Sequence, residues 1–447
     1  MTELVAAAAV PPAVRLPPEF RMPKALQAIT YVALRRWLLL RLARRYGKVF
    51  SVNLPLYGHI VVVGDSLLAK QVLATSPEEL GNIEPNLGRL FGPGSIFSLD
   101  GEEHRQRRRL LMPLFHGNLM KSYESIIEDE TLREVANWPE GQSFPAMPAM
   151  AQITLGGILR ALFGPECAEL DELRRLVPPW VTLGLRIALL PRPRRDYGRY
   201  SPWARLAEMR HQCEIVIEKL IEAARTGPNL AERTDVLALM LRSCYDDGSA
   251  MSHNDIVDEL LTMMAAGHET TAATLTWAFE RLGRHPDVLA ALVEEADRGG
   301  RALRQAAILE VQRTRPAIDR VVRRVCSPYY RLGQWVLPQG YSVHLHIEQV
   351  QSDPEVFPDP ERFDPHRHMG GKPSSLGWIP FGGGTRRCIG AALANLEIDV
   401  VLRTVLQHFT IEPNAAPDER WHNRGIAFTP RAPALLISRL VSWGIEG

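Results

Sequence analysis

The sequence predicts a mainly α-helical protein with small β-sheets at its edge. Three observations lead there. From Asp65 onward apolar residues recur mostly at helical spacing, with breaks marked by glycine and proline. One stretch, Ser252 to Gly283, continues for roughly thirty residues and would reach about 45 Å. No internal repeat or long flexible linker divides the 447 residues. Residues 21–447 are therefore expected as a single domain, behind a loose Ala/Pro/Val-rich tail at 1–20.

The elements follow in order. A helix ends at Tyr46-Gly47. Its apolar part, Ala28 to Leu42, is interrupted by Arg35, Arg36 and Arg41, so it reads as amphipathic and too charged to span a bilayer. Val49–Leu54 and His59–Val63 alternate around Pro55-Leu56-Tyr57-Gly58 and predict a β-hairpin. The helical region is expected to break at Gly92-Pro93-Gly94, Trp138–Gly141, Pro178-Pro179, Pro191–Tyr200 and Tyr245–Gly248. Ser252 can cap the long helix, with Asp255 at the third position. Strand character returns over Tyr329–Ile347, with a turn at Pro338-Gln339-Gly340, and again over Ile426–Leu440.

Composition limits the function classes. Hydrophobic residues are 46% and charged residues 23%, as in soluble globular proteins. A net charge of +1 gives no argument for nucleic acid. Five cysteines without C-x-x-C spacing fit a reducing compartment and argue against a disulfide framework or structural zinc. Ala6 to Pro12 is short, lacks a preceding basic region and runs into prolines, so it is no secretory signal. A cytoplasmic monomer without a membrane anchor is the expectation.

Chemistry concentrates in Phe381-Gly382-Gly383-Gly384-Thr385-Arg386-Arg387-Cys388-Ile389-Gly390. Here a glycine-rich loop ends on Cys388, just before an apolar helical run from Ala391. Free backbone N–H groups and the helix N-terminus both favour thiolate over thiol. A lone cysteine beside a turn is more often a buried structural residue. The full pattern F-x-x-G-x-R-x-C-x-G, however, has a chance probability on the order of one in ten thousand. In the long helix, Ala265-Ala266-Gly267-His268-Glu269-Thr270-Thr271 puts three small residues where something flat can approach the backbone. Taken alone it could equally be a surface step. Thr270 can also bond one turn back and distort the helix.

The cysteine loop resembles that of the cytochrome P450 family, in which a thiolate is the proximal ligand of a haem iron. The likeness covers about Tyr46 to Leu440 and has the character of a soluble bacterial, actinobacterial member. It implies the family fold, a triangular helical prism with its long central helix over the haem. It also implies haem b (iron protoporphyrin IX), with Cys388 as axial ligand and Phe381 and Gly267 beside the cofactor. Glu269 and Thr270 match the family's acid–alcohol pair, which delivers protons to bound dioxygen. His104 and Arg108, in G-x-x-H-x-x-x-R, match the propionate-binding helix; Arg386 and either Arg323 or its neighbour Arg324 complete that set. Glu310 and Arg313, one of several E-x-x-R spacings in the chain, would join Arg362 of Pro360-Glu361-Arg362-Phe363 in a buried ionic cluster under the haem. That role is structural.

The implied reaction is hydroxylation of a lipophilic small molecule such as a fatty acid, terpenoid or sterol-like compound. Its expected pocket is lined by parts of Leu80–Leu99, Leu173–Leu190, Leu260–Gly267, Ala317–Val322 and Gly425–Phe428, largely apolar segments. With no room for a redox domain, electrons would come from a separate ferredoxin and reductase. Arg105, Arg107, Arg108, Arg109 and Arg387 could form its docking face, or simply a solvated one. Arg192–Arg195 reads as a solvated loop that could also meet a carboxylate or a membrane. The segment Arg298–Gln305 is shorter than the family usually shows. Two other classes share the cysteine loop: a peroxide-driven peroxygenase, and a thiolate-haem gas sensor that would have little use for Glu269-Thr270.

Overall fold

The chain enters through α1 (Lys24–Tyr46), which buries Tyr31, Leu38, Leu39 and Leu42 against a hairpin. The hairpin strands, β1 (Val49–Leu54) and β2 (Gly58–Val63), pair antiparallel with Val49 opposite Val63. They belong to a five-stranded sheet that also holds β3 (Leu80–Gly81), β4 (Arg320–Val325) and β5 (Ser342–His346), in the order β1-β2-β5-β4-β3. The pair β2/β5 is parallel and β4/β5 antiparallel. The sheet thus carries residues about 300 positions apart into register and fixes β4 beside the N-terminal region. This computed structural model describes residues 14–439, except 56, 84–86, 118, 188–189, 191–197, 372, 414–418 and 432–433.

Helices dominate the rest. Those that position the site are α2 (Gly101–Leu111), α3 (Ala146–Phe163), α4 (Ala168–Ile187), α5 (Pro202–Thr226), α6 (His253–Arg284), α7 (Ala302–Thr314) and α8 (Ala391–His408). The long α6 starts where the Ser252 hydroxyl accepts from the Asp255 N–H at 3.1 Å. Its 32 residues run through the main core, so both faces are apolar over most of its length. Among the described residues α3 alone is long and apolar enough to cross a membrane, and 78% of it is buried inside the protein.

Three expectations need correction. Pro178 and Pro179 lie inside α4 and do not break it. The face carrying Leu173, Val177, Trp180 and Val181 is buried, and that packing outweighs the missing N–H bonds. Residues 15–20 of the expected loose tail are tied down: Ser51 donates from its N–H to Pro18 O at 2.8 Å, Phe20 to Ser51 O at 2.9 Å, and Val336 to Arg15 O at 2.9 Å. An edge strand's free backbone groups supply this attachment. The turn at Gly340 is present, but a second one at Gly333, with φ of 55°, splits Tyr329–Ile347 into three strands. In the short segment before α7, the Glu295 carboxylate caps that helix by accepting from the Leu303 and Arg304 N–H groups. Residues 1–13 and most of 191–200, including the basic run Arg192–Arg195, lie outside the described residues.

Candidate active site

The cysteine loop is shaped by its glycines. Gly382 and Gly384 take φ of 66° and 64°, a region costly for residues with a Cβ. At Gly384 a Cβ would also collide with the Leu73 carbonyl. The loop closes where the Cys388 N–H donates to Phe381 O at 2.9 Å, and α8 begins three residues later. Phe381 therefore serves the loop through its carbonyl, while its ring lies 6.0 Å from that of Trp378. Cys388 is solvent-accessible at the end of this loop. Surrounding protein nonetheless raises its thiol pKa, outweighing the Gly390 N–H and the charges of Arg108 and Arg387. A bound iron would set the state of this sulfur, because a coordinated metal ion deprotonates a thiol outright.

Basic groups gather beside the cysteine. His104 and Arg108 sit one turn apart on α2, and Arg108 Nη1 donates to Arg387 O at 2.7 Å. Arg386 Nη2 reaches Leu99 O and Asp100 Oδ1, each at 2.7 Å. Arg323 arrives from β4. Burial, then Arg386 and Arg108, push the His104 pKa down to about 4, with Arg323 adding to the effect, so these four groups share one neighbourhood. Burial and Arg386 likewise lower Arg323 to about 10. Arg324, the other candidate, is exposed. Against three guanidiniums stands Asp100, already bonded to Arg386 and to the Asn82 and Gly101 N–H groups. A surplus of largely buried positive charge beside a sulfur ligand suits a planar group carrying two carboxylates, as haem does. The residues present fit that cofactor.

On α6, every residue from Ile256 to Gly283 is buried except Ala266, Gly267 and Thr270. The accessible step coincides with the small-residue run. A Cβ at Gly267 would lie 3.1 Å from Ile158 of α3, so this glycine also serves helix packing. Thr270 Oγ1 donates to Ala266 O at 2.8 Å. Glu269 is 4% exposed and accepts from Arg424 Nε at 2.6 Å. Sequence reasoning missed Arg424, since nothing in the chain's order links positions 269 and 424. It also missed Glu397 of α8, which is fully buried next to Thr271 and whose carboxyl is driven far above the ordinary range by burial.

The ionic cluster forms with one change of membership. The Glu310 oxygens accept from Arg313 Nη2 and Nε, both at 2.8 Å, from Arg367 Nε at 3.1 Å, and pair with His368 Nε2 at 3.0 Å. Burial would raise the Glu310 pKa, but these partners hold it below the usual range. Arg362 is exposed and supplies only its carbonyl, which accepts from Arg313 at 3.2 Å. Expecting its guanidinium here was wrong: the following turn (Pro365–His368) delivers Arg367 and His368 instead. The His-Arg-His run just beyond Phe363 was the overlooked signal.

Comparison with known proteins bears on all of this. The sequence profile described as cytochrome P450 matches residues 25–437. The chain belongs to the cytochrome P450 family. Cytochrome P450 138 of Mycobacterium tuberculosis is 65% identical over 439 residues, covering 98% of this chain and 100% of that one. Cytochrome P450 135B1 of the same species is 34% identical, over 94% and 90% of the two chains. Among solved structures, the retinoic acid-bound cyanobacterial CYP120A1 superposes with a TM-score of 0.83 at 22% identity, over 96% of this chain and 100% of that one. The cytochrome P450DA heme domain gives 0.81 at 21%, over 96% and 98%. As a cytochrome P450 the protein is a haem-dependent monooxygenase, an oxidoreductase that uses dioxygen and a redox partner.

Of the expected docking residues, Arg107 is not available to a P450 redox partner. It is buried, donating to Glu259 at 2.9 Å and pairing with Asp255 at 3.1 Å. Arg105 and Arg109 both engage Glu102. Arg387 is exposed and pairs with no carboxylate among the described residues.

Proposed function

We propose that this cytochrome P450 hydroxylates a lipophilic small molecule, with Cys388 as the axial thiolate and electrons delivered by a ferredoxin and its reductase. The observation that carries the reading is the cluster of His104, Arg108, Arg323 and Arg386 around the Cys388 loop. When bound through sulfur, haem supplies dioxygen activation, the thiolate favouring O–O cleavage. The chain's own residues do the rest. Arg108, Arg323 and Arg386 neutralise the propionates, and His104, held neutral, offers an N–H. Phe381 shapes the loop, and Ala266 and Gly267 leave room above the ring.

Thr270 is the residue we assign to proton delivery. Its hydroxyl lies at the accessible step of α6 and can turn from Ala266 O toward the open side of the helix, where it could pass on a proton. Glu269 acts behind it, once Arg424 releases the carboxylate. Thr270→Ala should retain haem and consume electrons at a comparable rate while diverting most of them to hydrogen peroxide. Product formed per electron pair, measured beside peroxide release, checks this; coupling equal to the parent's would remove Thr270 from the mechanism.

A lipophilic substrate is supported by how the five apolar segments meet. The Phe428 N–H donates to Ala317 O at 2.8 Å, and Gly425 packs directly on the Leu185 carbonyl. Gly184 faces Leu90, and the Thr262 hydroxyl of α6 donates to Ser95 Oγ at 2.8 Å. Turnover with a ferredoxin system, compared with peroxide alone, tests the class: a peroxygenase would need only peroxide, and a gas sensor would turn over with neither. For the donor, Arg387 is the focus. Arg387→Glu should slow reduction by ferredoxin at low salt and flatten its salt dependence, since such charges act mainly on association rate. Equal rates for variant and parent would rule this face out.

A further inference from the structure

The outer face of α1 is exposed and largely apolar. Leu26, Ile29, Ala33, Trp37, Arg41 and Arg44 follow one another at three- and four-residue spacing, so they form one stripe along the helix. All six are exposed, Ile29 at 64% and Trp37 at 54%. Val32 and Leu34 are exposed as well and widen the stripe. The opposite face, with Tyr31, Leu38, Leu39 and Leu42, already packs into the core against the hairpin. A single exposed apolar side chain is ordinary on a protein surface. Leu26, Ile29, Val32, Leu34 and Trp37 together on one helix make a patch, which marks a contact surface.

The charge on this helix has one sign. Lys24–Tyr46 holds one lysine and five arginines, and neither Asp nor Glu. Arg35 is buried against Asp319 and Arg36 pairs with Glu348, each at 2.6 Å. Just past the helix, Lys48 takes Asp353 and Glu355. Arg41, Arg44 and Arg45 are exposed and pair with no carboxylate among the described residues. Arg41 instead lies over the Trp37 ring at 5.5 Å, and Arg45 over that of Tyr46 at 5.4 Å. At the other end Arg21 and Lys24 are exposed too. The apolar stripe therefore lies between two positive ends about 30 Å apart.

We propose that α1 lies along an anionic lipid surface, with Leu26, Ile29, Val32 and Trp37 in the headgroup layer and Arg41, Arg44 and Arg45 on lipid phosphates. An apolar stripe containing a tryptophan, flanked by arginines whose charged heads stay in water, suits that layer. The contact is peripheral. The buried Arg35–Asp319 pair keeps the inner face of α1 in the protein, so the helix rests on a bilayer and does not cross it. A second copy of this chain fits the same face poorly. Two-fold pairing would set a positive end against a positive end whichever way the two helices ran. The inference goes beyond the monooxygenase reading and does not depend on it.

The test is co-sedimentation of the haem-loaded full chain with vesicles of equimolar phosphatidylglycerol and phosphatidylcholine, beside vesicles of phosphatidylcholine alone. The mixed vesicles should bind roughly tenfold or more tightly at low salt, and the difference should shrink as salt rises. Arg41→Gln and Arg44→Gln should each weaken that binding roughly fivefold, the effect of one charge at such a surface. Ile29→Ser combined with Trp37→Ser should weaken it roughly tenfold without changing its salt dependence. Arg225→Gln, which alters an exposed arginine on α5, should bind as the parent does. All these side chains are exposed, so each variant should keep the parent's reduced carbon monoxide spectrum. No binding to the mixed vesicles, or a loss in Arg225→Gln equal to that in Arg41→Gln, would overturn the assignment. A dimer that Ile29→Ser dissolves would give the face to a second copy instead. Binding of an acidic ferredoxin that Arg41→Gln weakens, with vesicles ignored, would give it to a protein partner.

Discussion

Cys388→Ser should give a folded protein with little haem, no monooxygenase turnover, and no thiolate signature in its reduced carbon monoxide spectrum. The change is small in volume, and the loop's geometry rests on Gly382, Gly384 and the Cys388 N–H, none of which it alters. What disappears is a soft, electron-rich sulfur. A serine hydroxyl beside Arg108 and Arg387 does not replace it as an iron ligand, although the cationic cluster around His104 still attracts propionates. Haem content by extraction, together with ferredoxin-driven turnover, measures both consequences. Retained turnover at parental haem content would mean that the iron is held elsewhere.

The second large effect is on stability. Arg313→Ala should destabilise the protein by about 3–5 kcal/mol, the usual result of breaking a buried ion pair from one side. Arg313 and Glu310 are both 0% exposed, and the arginine also donates to Gln351 O, Pro360 O and Arg362 O. Removing it leaves a carboxylate and three carbonyls short of donors. Arg313→Lys should fare nearly as badly, because an ammonium cannot reproduce the two parallel bonds to Glu310. Arg362→Ala provides the contrast. Its side chain is outside the cluster, so its effect should stay within about 0.5 kcal/mol. Urea denaturation of the three variants decides the matter; a large loss in Arg362→Ala would restore that residue to the cluster.

Much of this was legible in the chain because it is local. The hairpin, the capped long helix and the cysteine loop are each written in consecutive residues, by alternation, by a Ser252–Asp255 cap and by glycines that permit positive φ. The helical spacing of His104 and Arg108 likewise places both on one face. What could not be read is what depends on distant elements meeting. Arg424 holds Glu269 across 155 positions, and Arg35 of α1 reaches Asp319 across 284. Arg107 stood in a basic run that looked solvated until Asp255 and Glu259 of α6 buried it. Pro178-Pro179 failed as a breaker for the same reason: burial of Val177 and Trp180 is a tertiary gain that local propensity does not contain.

The account depends on a bond between the Cys388 sulfur and iron. Purified protein, reduced and exposed to carbon monoxide, should show the long-wavelength absorption band characteristic of a sulfur donor opposite the gas, and Cys388→Ser should lack it. A colourless preparation, or a band at the shorter wavelength of a nitrogen-ligated haem, would contradict it.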